Sequence, residues 1–309
     1  MWEWRRLTPA QLGEIRIANL KLGEGDAPFR ASLATVAREL RRAGLHFPIA
    51  YVFSTEWYVL QGSHTVAVPF YLAHAELRRM ARAELGYVEG LRAPERTKIW
   101  RHELGHVLAN ALRVTTRPDF SRLFGKGRPY PRTYLPLSHS HQYVRNLPDS
   151  YAQSHPDEDF AETFAVWLDP RSDWRKRYLG TPALVKLEWV DALLAKLSAP
   201  ERSRRRTRSP ELGDRTLRVK DFFSRERARR AKSLTPALQR GLPRLLGAPH
   251  VRAQLARESG CYLYQIDWLL RGIAPERHPM TLTERRRLTR RVAREAARYF
   301  ETGRSPLLL

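Results

Sequence analysis

The stretch ERTKIWRHELGHVLANAL, residues 95–112, constrains this chain more than any other. Leu104, Val107, Leu108 and Ala111 recur at helical spacing, which predicts a helix with one side in a core. The Arg-Ala-Pro run just before it and Glu95 in its first turn mark its start. His102 and His106 then stand at i and i+4, so both imidazoles leave one face of the helix, one turn apart. Two rings so placed can share one metal ion. Glu103, one step round, can reach a water on that ion without ligating it. Gly105 removes bulk beside the rings. The plainer reading is a solvated helix that carries two histidines, and a third ligand decides between the two.

Zinc in a catalytic site takes three protein ligands and leaves one position for water. The extended frame in which a third histidine follows on the same strand of sequence is absent, because Ala109 and Leu112 occupy its positions. A second helix predicted over Pro156 to Leu168, within YAQSHPDEDFAETFAVWL, offers carboxylates instead. Glu158 and Glu162 are four apart and share one face. Ala161 and Ala165 lie near that face and permit close approach to the first helix, while Phe160, Phe164 and Trp167 form an apolar stripe. Two inward carboxylates are costly to bury unless a cation or a donor meets them. One metal ligand and one partner for a ligating imidazole satisfies both. A half-exposed acidic helix is the alternative.

Together, HELGH and HPDEDFAETF resemble the gluzincin zinc metallopeptidases, and more narrowly a bacterial zinc-binding metallopeptidase family. VAVPFYLAH, IWRHELGHVL and PALVKLEWVDALL are also similar to that group, so the resemblance covers roughly residues 15–200. It implies a zincin-like fold, a Zn²⁺ cofactor and a peptide or protein substrate. Anthrax lethal factor-like members have a similar arrangement, with a tyrosine seven residues before the glutamate ligand. By that resemblance His102, His106 and Glu158 are the metal ligands and Glu162 is the carboxylate behind them. Glu103 is the general base of peptide hydrolysis and Tyr151 the hydroxyl that meets the transition state. His141, Tyr143 and His155 are rival donors for the Tyr151 role. HSHQY holds His139 and His141 two apart, which fits a loop better than a second metal site, and His155 before a proline reads as a capping or packing residue.

The rest of the chain is expected to be α+β: a small N-terminal sheet packed on a helical core, with a C-terminal basic helical region. EIRIANLKL alternates with period two and predicts a strand, as do FPIAYVFS and HTVAVPFYL. The last of these is either an edge along which an extended peptide pairs or an ordinary core strand. FRASLATVARELRRAGL predicts a helix that stops at Gly44, and AHAELRRMARAELGYVEGLR and PALVKLEWVDALLAKL predict two more. Residues 114–150 are rich in Pro and Gly and predict loops. The expected organisation is a metallopeptidase domain over 1–198, an Arg-rich linker over 199–216 and a basic helical region over 217–309, in which Thr281 and Glu284 match a capping box.

Charge and cysteine use bound the setting. The 309 residues carry a formal charge of +23. From residue 201 onward there are 27 Lys/Arg against 11 Asp/Glu, a surplus of 16, which leaves 7 for the first 200 residues. That asymmetry raises contact with a polyanion through the C-terminal region, and a second function class: a nucleic-acid-associated basic protein, or a protease recruited to nucleic acid, with a structural or relict zinc site. The skew of 47 arginines to 8 lysines, which GC-rich coding can produce, weakens it. Cys261 is the single cysteine, so no disulfide within the chain and no all-cysteine zinc site is available, and a reducing cytoplasmic setting is expected. MWEWRRLTPAQLGEIR has no apolar run behind its charges, unlike a secretory signal. No apolar run approaches the roughly 18 residues of a membrane helix.

Overall fold

The computed structural model describes residues 7–60, 62–85, 88–130, 140–196 and 216–232. Over these the chain is mixed α+β, with nine α-helices and one three-stranded sheet. The helices are α1 (Pro9–Gly13), α2 (Ala27–Arg42), α3 (Ala75–Leu85), α4 (Ala93–Ala111), α5 (Pro118–Leu123), α6 (Pro156–Leu168), α7 (Trp174–Arg177), α8 (Pro182–Ala195) and α9 (Val219–Lys232). The strands are β1 (Ala50–Ser54), β2 (Tyr58–Val59) and β3 (Thr65–Pro69).

The described residues fall into two compact units. One comprises 16–78, 89–130, 140–196 and Thr216. In it, Asp26 caps α2 by accepting the Phe29 amide at 3.0 Å, and the helix ends where Leu45 N–H returns to Leu40 O across Gly44 at φ +76°. Strand β3 is central. It pairs in parallel with β1, from Ala50 opposite Thr65 to Ser54 opposite Pro69, and antiparallel with β2 on its other side. HTVAVPFYL therefore supplies the central strand rather than an edge: β1 lies along all of β3 on one side, and β2 pairs with Val66 and Ala67 on the other.

Helix α4 runs through the centre of this unit. Trp100 is fully buried and meets Phe29, Tyr51 and Trp57 edge-on, with ring centroids 5.3–6.1 Å apart, which ties α4 to α2 and the sheet. Arg101 donates to both oxygens of Glu39 on α2 at 2.7 and 2.8 Å, and to Asp169 at the end of α6 at 2.7 Å. Arg96 donates to Ser32 and to the carbonyls of Pro28, Gly90 and Leu91. These two buried guanidiniums fix the helix along and about its axis. On the other side of α6, Lys186 of α8 meets Asp159 at 2.5 Å.

Where EIRIANLKL predicted a strand, Ile17–Leu20 is a 3₁₀ helix. Ile17 and Leu20, three apart, are its buried pair, and a 3₁₀ turn eclipses i and i+3. The loop-rich stretch 114–150 contains α5 and further 3₁₀ turns at Val114–Thr116 and Pro148–Gln153.

The second unit has as its described residues 7–15, 79–85, 88 and 217–232. Thr8 caps α1 in a capping box with Gln11. Glu14 pairs with Arg218 and Lys220, and Glu84 with Arg227. Most of the expected linker and of the basic C-terminal region, including the capping box at Thr281, lies outside the described residues, as do His139 and Cys261. Among the described residues no helix is long and apolar enough to cross a membrane.

Candidate metal centre

The site is built where α4 and α6 touch. At Gly105 an added Cβ would lie 2.8 Å from the Cα of Ala161 and 3.1 Å from its carbonyl oxygen, so the backbones approach as closely as a glycine allows. That approach brings the faces bearing His102 and His106 against the face bearing Glu158 and Glu162. α6 begins with His155 as N-cap, its Nδ1 accepting the Asp157 amide at 3.1 Å, then Pro156. Glu158 thus sits in the first turn, where the helix dipole favours a carboxylate.

Three ligand atoms converge. His102 Nε2, His106 Nε2 and Glu158 Oε2 form a triangle with sides of 3.0, 3.1 and 3.2 Å. These three side chains form a group able to hold a metal ion. A tetrahedral ion with bonds of about 2.0–2.1 Å spaces its ligands by roughly 3.3 Å, so the triangle needs only a slight opening to fit one.

The tautomer of His102 follows from Glu162. This carboxylate has 0% exposure, and every direction round it is taken. His102 Nδ1–H donates to Oε1 at 2.8 Å and Asn146 Nδ2 at 2.9 Å. The backbone amides of Asn146 and Leu147 donate to Oε2 at 3.3 and 2.8 Å. With the Nδ1 proton held there, Nε2 is the nitrogen that His102 turns towards the triangle, and the one that an ion would take.

The electrostatics ask for a cation. Glu103, Glu158 and Glu162 put three buried carboxylates beside two imidazoles, and a buried negative surplus is costly alone. Burial works against charging His102, yet its hydrogen bonds to Glu158 and Glu162 outweigh that and raise its pKa well above the usual imidazole range. Burial would likewise raise Glu158, but the charge of His106 and hydrogen bonds from both rings hold it well below the usual carboxylate range. Both shifts have the same origin: positive charge is favoured between the rings and the carboxylate. Glu103 differs. Burial raises its carboxyl, and its Oε2 is buried with no hydrogen-bond partner among the described residues. A buried carboxylate oxygen left without a donor fits a site that takes up something more.

Tyr151 lies on the 3₁₀ turn Pro148–Gln153, half-buried, its ring centroid 5.6 Å from that of His102. Its rivals have other surroundings. His141 is exposed, Tyr143 lies with its ring 4.4 Å from Lys186 Nζ, and His155 caps α6. Two participants escaped the sequence reading. Asn146 wraps Glu162 from the loop before α6. Tyr130 donates its O–H to Glu158 Oε1 at 2.9 Å. Both come from loops without periodicity, and only the aromatic and Pro-rich character of RPY hinted at a built surface. A cavity of about 260 Å³, lined by Phe124, Arg128, Tyr143, His155 and Asp159 among others, opens beside the start of α6.

Comparison with curated proteins and with solved structures finds no match. Residues 30–177 match a family model described as "Putative zinc-binding metallo-peptidase". That span contains the whole His102–His106–Glu158 group, and the match supports a peptidase at this general level.

Proposed function

We propose that the chain is a zinc-dependent peptide hydrolase of the gluzincin type, with His102, His106 and Glu158 as ligands and Glu103 as general base. The convergence of the three ligand atoms at 3.0–3.2 Å carries this reading. When bound, a zinc ion supplies a Lewis acid for the scissile carbonyl and acidifies a water molecule. Glu103 takes a proton from the attacking water as the C–O bond forms, and passes it to the amine nitrogen as the C–N bond breaks. Its raised pKa suits a group that must hold that proton between the two steps. Tyr151 offers a neutral O–H to the carbonyl oxygen as it gains charge. Glu162 keeps the Nδ1 proton on His102 and with it the ring's orientation. A single cysteine fits a reducing compartment, and we place the enzyme in the cytoplasm.

The polyanion reading rests on the basic C-terminal charge, most of which falls outside the described residues. Where α9 is described, Arg227 pairs with Glu84 and Arg229 with Glu226, so part of the charge is balanced within its own unit.

Wild type and Glu103→Gln, compared for cleaved peptides across a proteome with zinc measured in both, test the proposal. Each should hold about one zinc per chain, and the variant should lose turnover by roughly 10²–10⁴-fold. Equal cleavage by the two would mean that another group activates the water. Wild type purified without zinc would remove the site.

A further inference from the structure

We infer that Tyr130 is a positioning residue for the metal site: its phenol O–H occupies Glu158 Oε1, so that Glu158 presents Oε2 alone to the ion. This rests on the reading of His102, His106 and Glu158 as zinc ligands.

A carboxylate can bind an ion through one oxygen or two, and the second mode would take the position that the reaction needs for water. In this structure the two oxygens of Glu158 are already divided. Oε2 faces both imidazoles at 3.0 and 3.1 Å, and Oε1 accepts from Tyr130 at 2.9 Å. A neutral donor on Oε1 weakens that oxygen as a ligand and fixes the rotation of the carboxylate about its last bond. A phenol carries its proton at neutral pH, so Tyr130 serves as a donor here.

Tyr130 is 57% exposed, and a tyrosine that exposed would ordinarily be free to turn away. Here it is held from below. Its ring stacks on His155, with centroids 3.9 Å apart and planes 13° from parallel. His155 is itself fixed at both nitrogens. Nδ1 accepts the Asp157 amide, which leaves Nε2–H to donate to Arg128 O at 2.7 Å. Arg128 in turn reaches back to Ser154 O at 3.4 Å. The 128–130 segment is therefore pinned to the first turn of α6, the turn that carries Glu158, and Tyr130 moves with the ligand it orients.

Two variants separate the hydrogen bond from the stack. Tyr130→Phe keeps the ring on His155 and loses only the O–H, whereas Tyr130→Ala loses both. Zinc affinity is read by competition with a chelating dye, and ligand geometry by the visible spectrum of the cobalt(II)-substituted protein. Tyr130→Phe should bind zinc about tenfold more weakly than wild type, the lower end for loss of a partner to a metal ligand. Its cobalt bands should shift as Glu158 reorients, and Tyr130→Ala should behave similarly. Zinc affinity of Tyr130→Phe equal to wild type overturns the inference, whatever Tyr130→Ala does. Weaker zinc with unchanged cobalt bands also overturns it, since geometry at the ion would then not depend on the phenol. Those results leave the zinc site itself standing, whereas wild type that binds no zinc removes both.

Discussion

At the scale of single residues, the role proposed for Glu162 is to govern the site without touching the ion. It collects four donors and has no contact with water, so its charge is fully committed inside the protein. Replacing it by glutamine leaves the shape but makes one end of the group a donor, which must face either His102 Nδ1–H or a backbone amide. The His102 ring would lose its fixed tautomer. Glu162→Gln should therefore bind zinc roughly 10–100-fold more weakly, as read by chelator competition. Affinity equal to wild type would mean that His102 is oriented by something other than Glu162. The spacing of Glu158 and Glu162 was visible in the sequence, because i and i+4 on a helix is a local property. Asn146 and Tyr130 were not. Each acts from a loop, and its partner lies 16 or 28 residues away. Nothing in a local pattern reports such a closure.

At the scale of elements, the bounds of α6 were legible because a proline and an acidic first turn mark its start, and an apolar stripe marks its length. The sheet was less so. Three successive apolar residues, Val66 to Val68, are all buried, a pattern that belongs to strands covered on both faces, yet the order of the strands is a long-range matter. EIRIANLKL misled because one apolar pair, Ile17 and Leu20, satisfies a tight helical turn as readily as it interrupts an alternating strand. The contact of α4 with α6 was expected from Ala161 and Ala165, and the position of Gly105 within it yields a prediction at this scale. Gly105→Ala should gain up to about 1 kcal/mol of helix propensity. It must also place a methyl 2.8 Å from the Ala161 backbone, which cannot turn aside as a flexible side chain could. Overpacking of that kind costs about 1–3 kcal/mol. A net loss of about 1–2 kcal/mol in denaturant unfolding is expected, together with weaker zinc binding, because the helices that part are those carrying the proposed ligands. A variant as stable as wild type would show that the two backbones have room to separate.

At the scale of the whole molecule, the proposed ion joins two helices whose ligands stand 52 residues apart, but the protein does not depend on it for cohesion. α4 is also held by the Arg101–Glu39–Asp169 group, by the carbonyl contacts of Arg96 and by Trp100 among aromatic rings. α6 is held to α8 through Asp159 and Lys186. Removal of zinc should therefore leave secondary structure intact at room temperature while lowering the melting temperature. A ligand that binds only the folded state at 100 times its Kd contributes about 2.7 kcal/mol. For a cooperative unit of about 150–250 residues that corresponds to a shift of roughly 5–10 °C. Thermal melts with and without EDTA measure it, and zinc added back should restore the original value. His106→Ala should show a much smaller shift, since one corner of the triangle is gone. A wild-type melt indifferent to EDTA would mean that no ion bridges the two helices. Outright unfolding by EDTA would instead mean that the buried arginines and the aromatic cluster contribute less than their geometry implies.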